Sequence, residues 1–290
     1  MDAPRSFHPS PSAPSLRLPP GACDAHVHVF GPVARFPFAE GRSFTPCEAP
    51  KETLFALHDR LGIGRCVVVQ SNAHGFDNGA TEDAIAARRG RYAGIALVPL
   101  AVPDTELARL DAAGFRGVRF SFMRHLGRPE PIGDVIAFAA RLAPMRWHLQ
   151  VHFESSLIHD LGPAIRRSPV PVVVDHMGRV DAGKGIGQPD FQALLSLVEA
   201  PHVWVKVSGA ERASREGPPY ADAVPFARAL AEAAPDRVLW GTDWPHPNLG
   251  HVPDDGALVD LLTQIAPGAA QRQAMLVDNP ARLYRFGSHG

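Results

Sequence analysis

From Cys23 onward, short apolar runs rich in β-branched residues alternate with longer stretches rich in Ala, Leu and Arg. A strand that is apolar on both faces suits a parallel sheet covered by helices, because each face is then buried. Eight such runs are found, at residues 23–30, 65–71, 92–98, 117–122, 147–153, 171–177, 203–208 and 237–243. Eight strands in one unit predict an α/β fold, a closed (β/α)8 TIM-type barrel, and not an open doubly wound sheet. Between the runs, residues 81–91, 104–113, 132–142, 191–198 and 223–233 predict covering helices, several opening on an Asp, Ser or Thr cap. The segment from Asp254 through Leu283 predicts two more. No solenoid-length repeat is visible, and no Gly-rich phosphate fingerprint follows a strand, so a dinucleotide fold has no support.

Length changes this picture little: 290 residues hold one barrel of roughly 250 residues and a tail. The expected division is a flexible Pro/Ser-rich N-terminal arm over residues 1–20 and a single barrel hydrolase domain over 21–290. The arm has no apolar stretch long enough for a signal peptide. A hydrophobic share of 45% and a formal net charge of −1 point to a compact fold without nucleic-acid or membrane partners. Cys23, Cys47 and Cys66 are too few and too scattered for a disulfide framework or a zinc ribbon, which suits a reducing cytoplasm. The sequence leaves the oligomeric state open.

Chemistry enters where the strands stop being apolar. Period-two alternation puts Asp24, His26 and His28 on one side of the first run. His148, Gln150, His152 and Glu154 alternate on the fifth, the sixth ends in Asp175 and His176, and the eighth ends in Asp243. In a TIM barrel the C-terminal strand ends carry the active site, so these imidazoles and this carboxylate converge at the mouth. Two uses follow. The set can hold Zn²⁺ or a similar ion that acidifies a bound water, with His26, His28, His152, His176 and Asp243 as ligands. Alternatively, the histidines polarise a carbonyl directly while Asp243 takes a proton from water. Both end in hydrolysis.

Arg119, Arg124, Arg179 and Arg212 fall where loops rim the mouth, and guanidinium groups there suit an anionic substrate. His125, Ser71, Asn72 and His74 are further rim candidates. No Gly-x-Ser-x-Gly elbow is present, and Cys23 lies at the start of its strand, so serine and cysteine nucleophile schemes are not favoured. Trp204, Trp240 and Trp244 read as core or pocket wall.

The stretches CDAHVHVFGP, TPCEAPKETLFAL, GVRFSF, VVVDHMGR, Glu211-Arg212, VPFAR, RVLWGTDWPHPN, PDDG and DNPARLY, spanning about Gly21 to Tyr284, resemble the 2-pyrone-4,6-dicarboxylate hydrolases (lactonases). Those belong to the amidohydrolase 2 group of the amidohydrolase superfamily. The resemblance implies opening of the pyrone dicarboxylate to 4-oxalomesaconate in the breakdown of aromatic compounds. It implies Asp243 as general base, His26, His28 and His176 polarising the lactone carbonyl, Arg119, Arg212 and Asn248 binding substrate, and no required metal. Three positions depart from the family pattern. Phe44 and His152 stand where the family has substrate-contacting tyrosines, and His125, preceded by Arg124, stands at a second carboxylate-binding arginine. His152 also falls where metal-dependent members of the superfamily place a ligand, and the similar sulfomuconolactone hydrolases are described as zinc enzymes. A zinc-dependent lactonase of that kind, or a related decarboxylase or isomerase, therefore stands as the alternative.

Overall fold

The structure is a computed structural model that describes residues 3–127 and 129–286; the first two residues of the expected arm and the last four of the expected barrel domain lie outside the described residues. Eight strands form one sheet in sequence order: β1 (Cys23–Val27), β2 (Arg65–Val69), β3 (Tyr92–Ala96), β4 (Phe115–Phe122), β5 (His148–Phe153), β6 (Val172–Val174), β7 (Val203–Lys206) and β8 (Val238–Leu239). Each pairs in parallel with the next. The last strand returns to the first, with Ala25 N donating to Trp240 O at 2.8 Å and Asp243 N to His26 O at 2.9 Å. The expected barrel is therefore present, nearly closed.

Helices cover the outside: α1 (Lys51–Leu61), α2 (Gly79–Ala87), α3 (Asp104–Ala113), α4 (Ile132–Ala139), α5 (Ile158–Ile165), α6 (Pro189–Val198), a short α7 (Ala210–Ala213) and α8 (Val224–Ala233). The expected helices match α2, α3, α4, α6 and α8, with the last turns of the fourth tightened to 3₁₀ over Ala140–Met145. The closing segment breaks into α9 (Asp255–Asp260), α10 (Leu262–Ile265), α11 (Ala269–Gln273), a π-turn and α12 (Asn279–Tyr284), more pieces than the two expected. The described residues contain no helix long and apolar enough to cross a membrane.

Alternation sorts the strand side chains. Val68, Val118, Leu149, Val151, Val172 and Val205 face the helices, while Cys23, Ala25, Val67, Val69, Ala93, Ile95, Val173, Trp204 and Leu239 fill the lumen with Leu283 and Tyr284. Asp24 does not join His26 and His28 as strict alternation predicts. The β1–β2 register shifts between Asp24 and Val27, and a bulge there inverts the parity. Asp24 instead accepts from Thr242 Oγ1 at 2.6 Å and faces His58 of α1 at 3.5 Å. A Cβ on Gly241 would fall 2.5 Å from His26 N, so only glycine lets the β8 end approach this bulge.

Residues 3–20 were expected to be flexible, yet they lie against the barrel. Phe7 is buried and tilts onto Trp244 with ring centroids 5.1 Å apart. Ser12 donates through its backbone N at 2.9 Å and its hydroxyl at 2.8 Å to Asp254, and Ser15 and Leu16 donate to Asp260. Asp254 also caps α9, accepting from Gly256 N at 2.9 Å and Ala257 N at 3.1 Å. A segment without regular structure must place its backbone donors somewhere, and two carboxylates take them. Asp254→Ala should cost about 1–2 kcal/mol in urea unfolding and make the arm sensitive to trypsin at Arg17; unchanged stability and proteolysis would show that the contact contributes nothing.

Candidate active site

The strands deliver polar side chains to one end of the lumen. On β5, His148, Gln150 and His152 share the inward face that alternation predicts. Beyond β6 and β8 the backbone changes conformation: His176 (φ 48°), Met177 (φ 52°), Arg179 (φ 57°) and Asp243 (φ 65°) are left-handed without being glycine. Each such residue costs about 1–2 kcal/mol, and strain of this kind concentrates at functional sites. Its effect here is to turn His176 inward beside its neighbour Asp175.

One carboxylate oxygen organises the centre. Asp243 Oδ1 lies 3.7 Å from His26 Nε2, 3.6 Å from His28 Nε2 and 3.7 Å from His176 Nε2. Its Oδ2 accepts from Arg212 Nε. Burial opposes ionisation of Asp243, but Arg212 and then His176 outweigh it and hold the carboxyl well below the usual range. A second carboxylate lies deeper: Asp175 Oδ2 accepts from Arg119 Nε at 2.8 Å and Gln150 Nε2 at 3.1 Å, and Asp175 Oδ1 is 3.4 Å from Lys206 Nζ.

The ring nitrogens are not equivalent. His28 Nδ1 sits 2.7 Å from the Val69 carbonyl, which only accepts, so Nδ1 carries a proton and Nε2 faces Asp243. His176 Nδ1 meets Ser208 Oγ at 3.0 Å. Burial, then the Lys206 charge, push His26 down to about 3; burial also holds His152 and His176 well below their ordinary value. His148, at the bottom of the lumen, falls to about 3 for the same two reasons. The unfolded chain takes protons below the ordinary 6.5 that these buried rings refuse, so folding stability should fall as pH drops from there toward 3. For one such histidine the limiting slope is about 1.4 kcal/mol per pH unit. The urea midpoint should therefore be lower at pH 5 than at pH 7; equal midpoints would contradict neutral buried imidazoles.

The cavity above this centre is lined by His28, Phe44, Ser71, Asn72, Arg119, His125, Leu126, His152, His176, Arg179, Arg212, Asp243, Pro247 and Asn248. Two expected rim residues lie elsewhere. Arg124 is 82% exposed and pairs with Glu154 at 3.2 Å, because the 3₁₀ turn Arg124–Leu126 directs its neighbour His125 to the cavity instead. His74 is buried against Phe38 and Pro37 O. Arg212 reaches the cavity but spends its Nε on Asp243, and Arg119 spends its Nε on Asp175.

Sequence reasoning missed Lys206. It is fully buried, and burial, against the pull of Asp175, lowers it to about 8. Its signal was its parity with Trp204 on an inward strand face, where a lysine has no apolar reason to be.

Among the described residues, two groups have the spacing to hold a metal ion: His26, His28 and Asp243, and His26, Asp175 and His176. Their nitrogen and carboxylate donors fit a divalent ion, and His26 Nε2 has no hydrogen-bond partner. His152 belongs to neither group, its ring lying edge-on to His176 with centroids 5.5 Å apart; of the five expected ligands, His26, His28 and Asp243 share one group and His176 joins His26 in the other.

The family model described as amidohydrolase matches residues 23–286. The chain is 48% identical over 288 residues to a 2-pyrone-4,6-dicarboxylate hydrolase from Comamonas testosteroni, covering 96% of this chain and 94% of that protein. It is 42% identical over 274 residues to a 4-sulfomuconolactone hydrolase from Hydrogenophaga intermedia, covering 92% and 89%. A solved structure from Acinetobacter baumannii, described as a probable 2-pyrone-4,6-dicarboxylic acid hydrolase with citric acid bound, superposes with a TM-score of 0.81 at 29% identity, covering 92% of this chain and 100% of that one.

Proposed function

The chain belongs to the amidohydrolase family, and from that premise we propose that it opens 2-pyrone-4,6-dicarboxylate, or a lactone with the same pair of anionic groups, by adding water across the ring ester. It is a lactone hydrolase. The observation that carries the substrate class is charge. Arg119, Arg179, Arg212 and Lys206 stand against Asp175, Asp243 and Glu211, the last 3.7 Å from Arg212, around the cavity and its floor, four basic groups against three carboxyls. Burial opposes ionisation of Glu211, and the excess of positive charge favours an anionic substrate.

Asp243 Oδ1 and the His28 Nε2 lone pair both accept, so a water between them, 3.6 Å apart, donates both its protons and turns a lone pair toward the lactone carbonyl. His28 thus holds the water and does not polarise the carbonyl as expected. His26 and His176 face the carbonyl oxygen and stabilise its developing charge. As water attacks, Asp243 takes its proton; the carbonyl reforms, the ring C–O bond breaks, and the departing enol oxygen takes back the proton that Asp243 accepted. Arg119, Arg179 and Arg212 grip the carboxylates, with His125, His152, Asn248 and Phe44 shaping the rest. A substrate carboxylate that shares Arg212 weakens its hold on Asp243, making Asp243 a better base as the substrate binds. If a divalent ion is bound, His26, His28 and Asp243 would hold it, and it would supply Lewis-acid polarisation. No metal is required for this reaction.

Purified protein should hydrolyse 2-pyrone-4,6-dicarboxylate at the same rate before and after exhaustive chelation, and 4-sulfomuconolactone more slowly. Loss of activity on chelation, restored by zinc, would overturn the metal-free reading; preference for the sulfonated lactone would overturn the dicarboxylate.

A further inference from the structure

Lys206 has no part in the chemistry just described, yet it is fully buried at the end of β7. Its Nζ lies 2.8 Å from Gln150 Oε1, 3.2 Å from His26 Nδ1 and 3.4 Å from Asp175 Oδ1. An ammonium has three protons and no lone pair, and here it meets three acceptor positions. The Gln150 amide is oriented unambiguously, because its Nε2 donates to Asp175 Oδ2 at 3.1 Å, so its oxygen is the atom facing Lys206. The hydrogen bonds of the ammonium go to Gln150 Oε1 and His26 Nδ1, while Asp175 Oδ1 is paired with it by charge and makes no hydrogen bond. A neutral imidazole that accepts at Nδ1 carries its own proton on Nε2.

A competitor exists for the same nitrogen. Asp175 Oδ1 lies 3.3 Å from His26 Nδ1. Were it the partner, Nδ1 would donate to it and Nε2 would be left as a lone pair. That is the carboxylate–histidine arrangement that prepares an imidazole for a metal, and the one His28 has through Val69 O. The two histidines of the first strand are thus held in opposite senses.

We infer that Lys206 is a positioning residue that fixes His26 as the Nε2–H tautomer, making it a hydrogen-bond donor to the lactone carbonyl and a poor metal ligand. This deepens the metal-free reading and rests on it for the role of the Nε2 proton. The tautomer itself can be tested without turnover. In protein labelled with ¹⁵N-histidine and held at pH 7, the His26 signals, identified by their loss in His26→Gln, should show a protonated Nε2 and an unprotonated Nδ1. A protonated Nδ1, with Nε2 protonated or not, would overturn the inference.

Lys206→Met should move the proton to Nδ1, facing Asp175, and should tighten zinc binding, measured by calorimetry with zinc ions and no substrate, by tenfold or more. A folded Lys206→Met protein with unchanged tautomer and unchanged zinc affinity would overturn the inference. If that variant does not fold, Lys206→Gln and the wild-type spectrum decide it. The chelation assay fails separately: a zinc-requiring enzyme whose His26 still carries its proton on Nε2 would sink the metal-free reading and leave the tautomer assignment standing, while a chelator-insensitive enzyme with Nδ1 protonated would do the reverse.

Discussion

Asp243→Asn should lower kcat by about 10³-fold or more while leaving the circular dichroism spectrum and the urea midpoint close to those of the parent. The carboxylate lies within 3.7 Å of a ring nitrogen of His26, of His28 and of His176, and the amide cannot accept a proton from water. The fold should tolerate the change because the amide oxygen can still accept from Arg212 Nε, the contact Asp243 makes now. The lost charge leaves the guanidinium less well compensated, so a small loss of stability is expected, together with tighter binding of the dianionic substrate. Full turnover in the variant would remove Asp243 as the base.

Arg179→Gln should raise KM by about 100-fold, the worth of a desolvated charged hydrogen bond, with little change in kcat. Arg179 lines the cavity, and no carboxylate pairs with it among the described residues. Burial, then Arg212, lower its guanidinium to about 10, the behaviour of a cation held without its anion. The same substitution should therefore leave the free protein as stable as the parent or more so, since a half-buried unpaired charge is costly. A loss of stability with unchanged KM would show that Arg179 serves the fold and not the substrate.

The helices show where pattern fails locally. α5 carries Gly162 and Pro163 within Ile158–Ile165, residues that argue against a helix on propensity; it forms because Ile158, Leu161 and Ile165 are buried against the sheet. Strand ends run shorter than the apolar runs, most of all at β6 and β8, because the chain leaves the ladder there to carry the site.

The sequence by itself determined the eight parallel strands, since burial on both faces demands β-branched runs, and the residue types of the centre, since imidazoles and carboxylates have no other reason to sit on such strands. Tertiary structure decided how they face. A bulge turned Asp24 away from His26. Left-handed backbone at His176 and Asp243 aimed both inward. Lys206 and Arg212, remote in sequence from their partners, took His26 and Asp243. Those outcomes depend on which side chains meet across the barrel, and a period of two along one strand holds no information about the strand opposite.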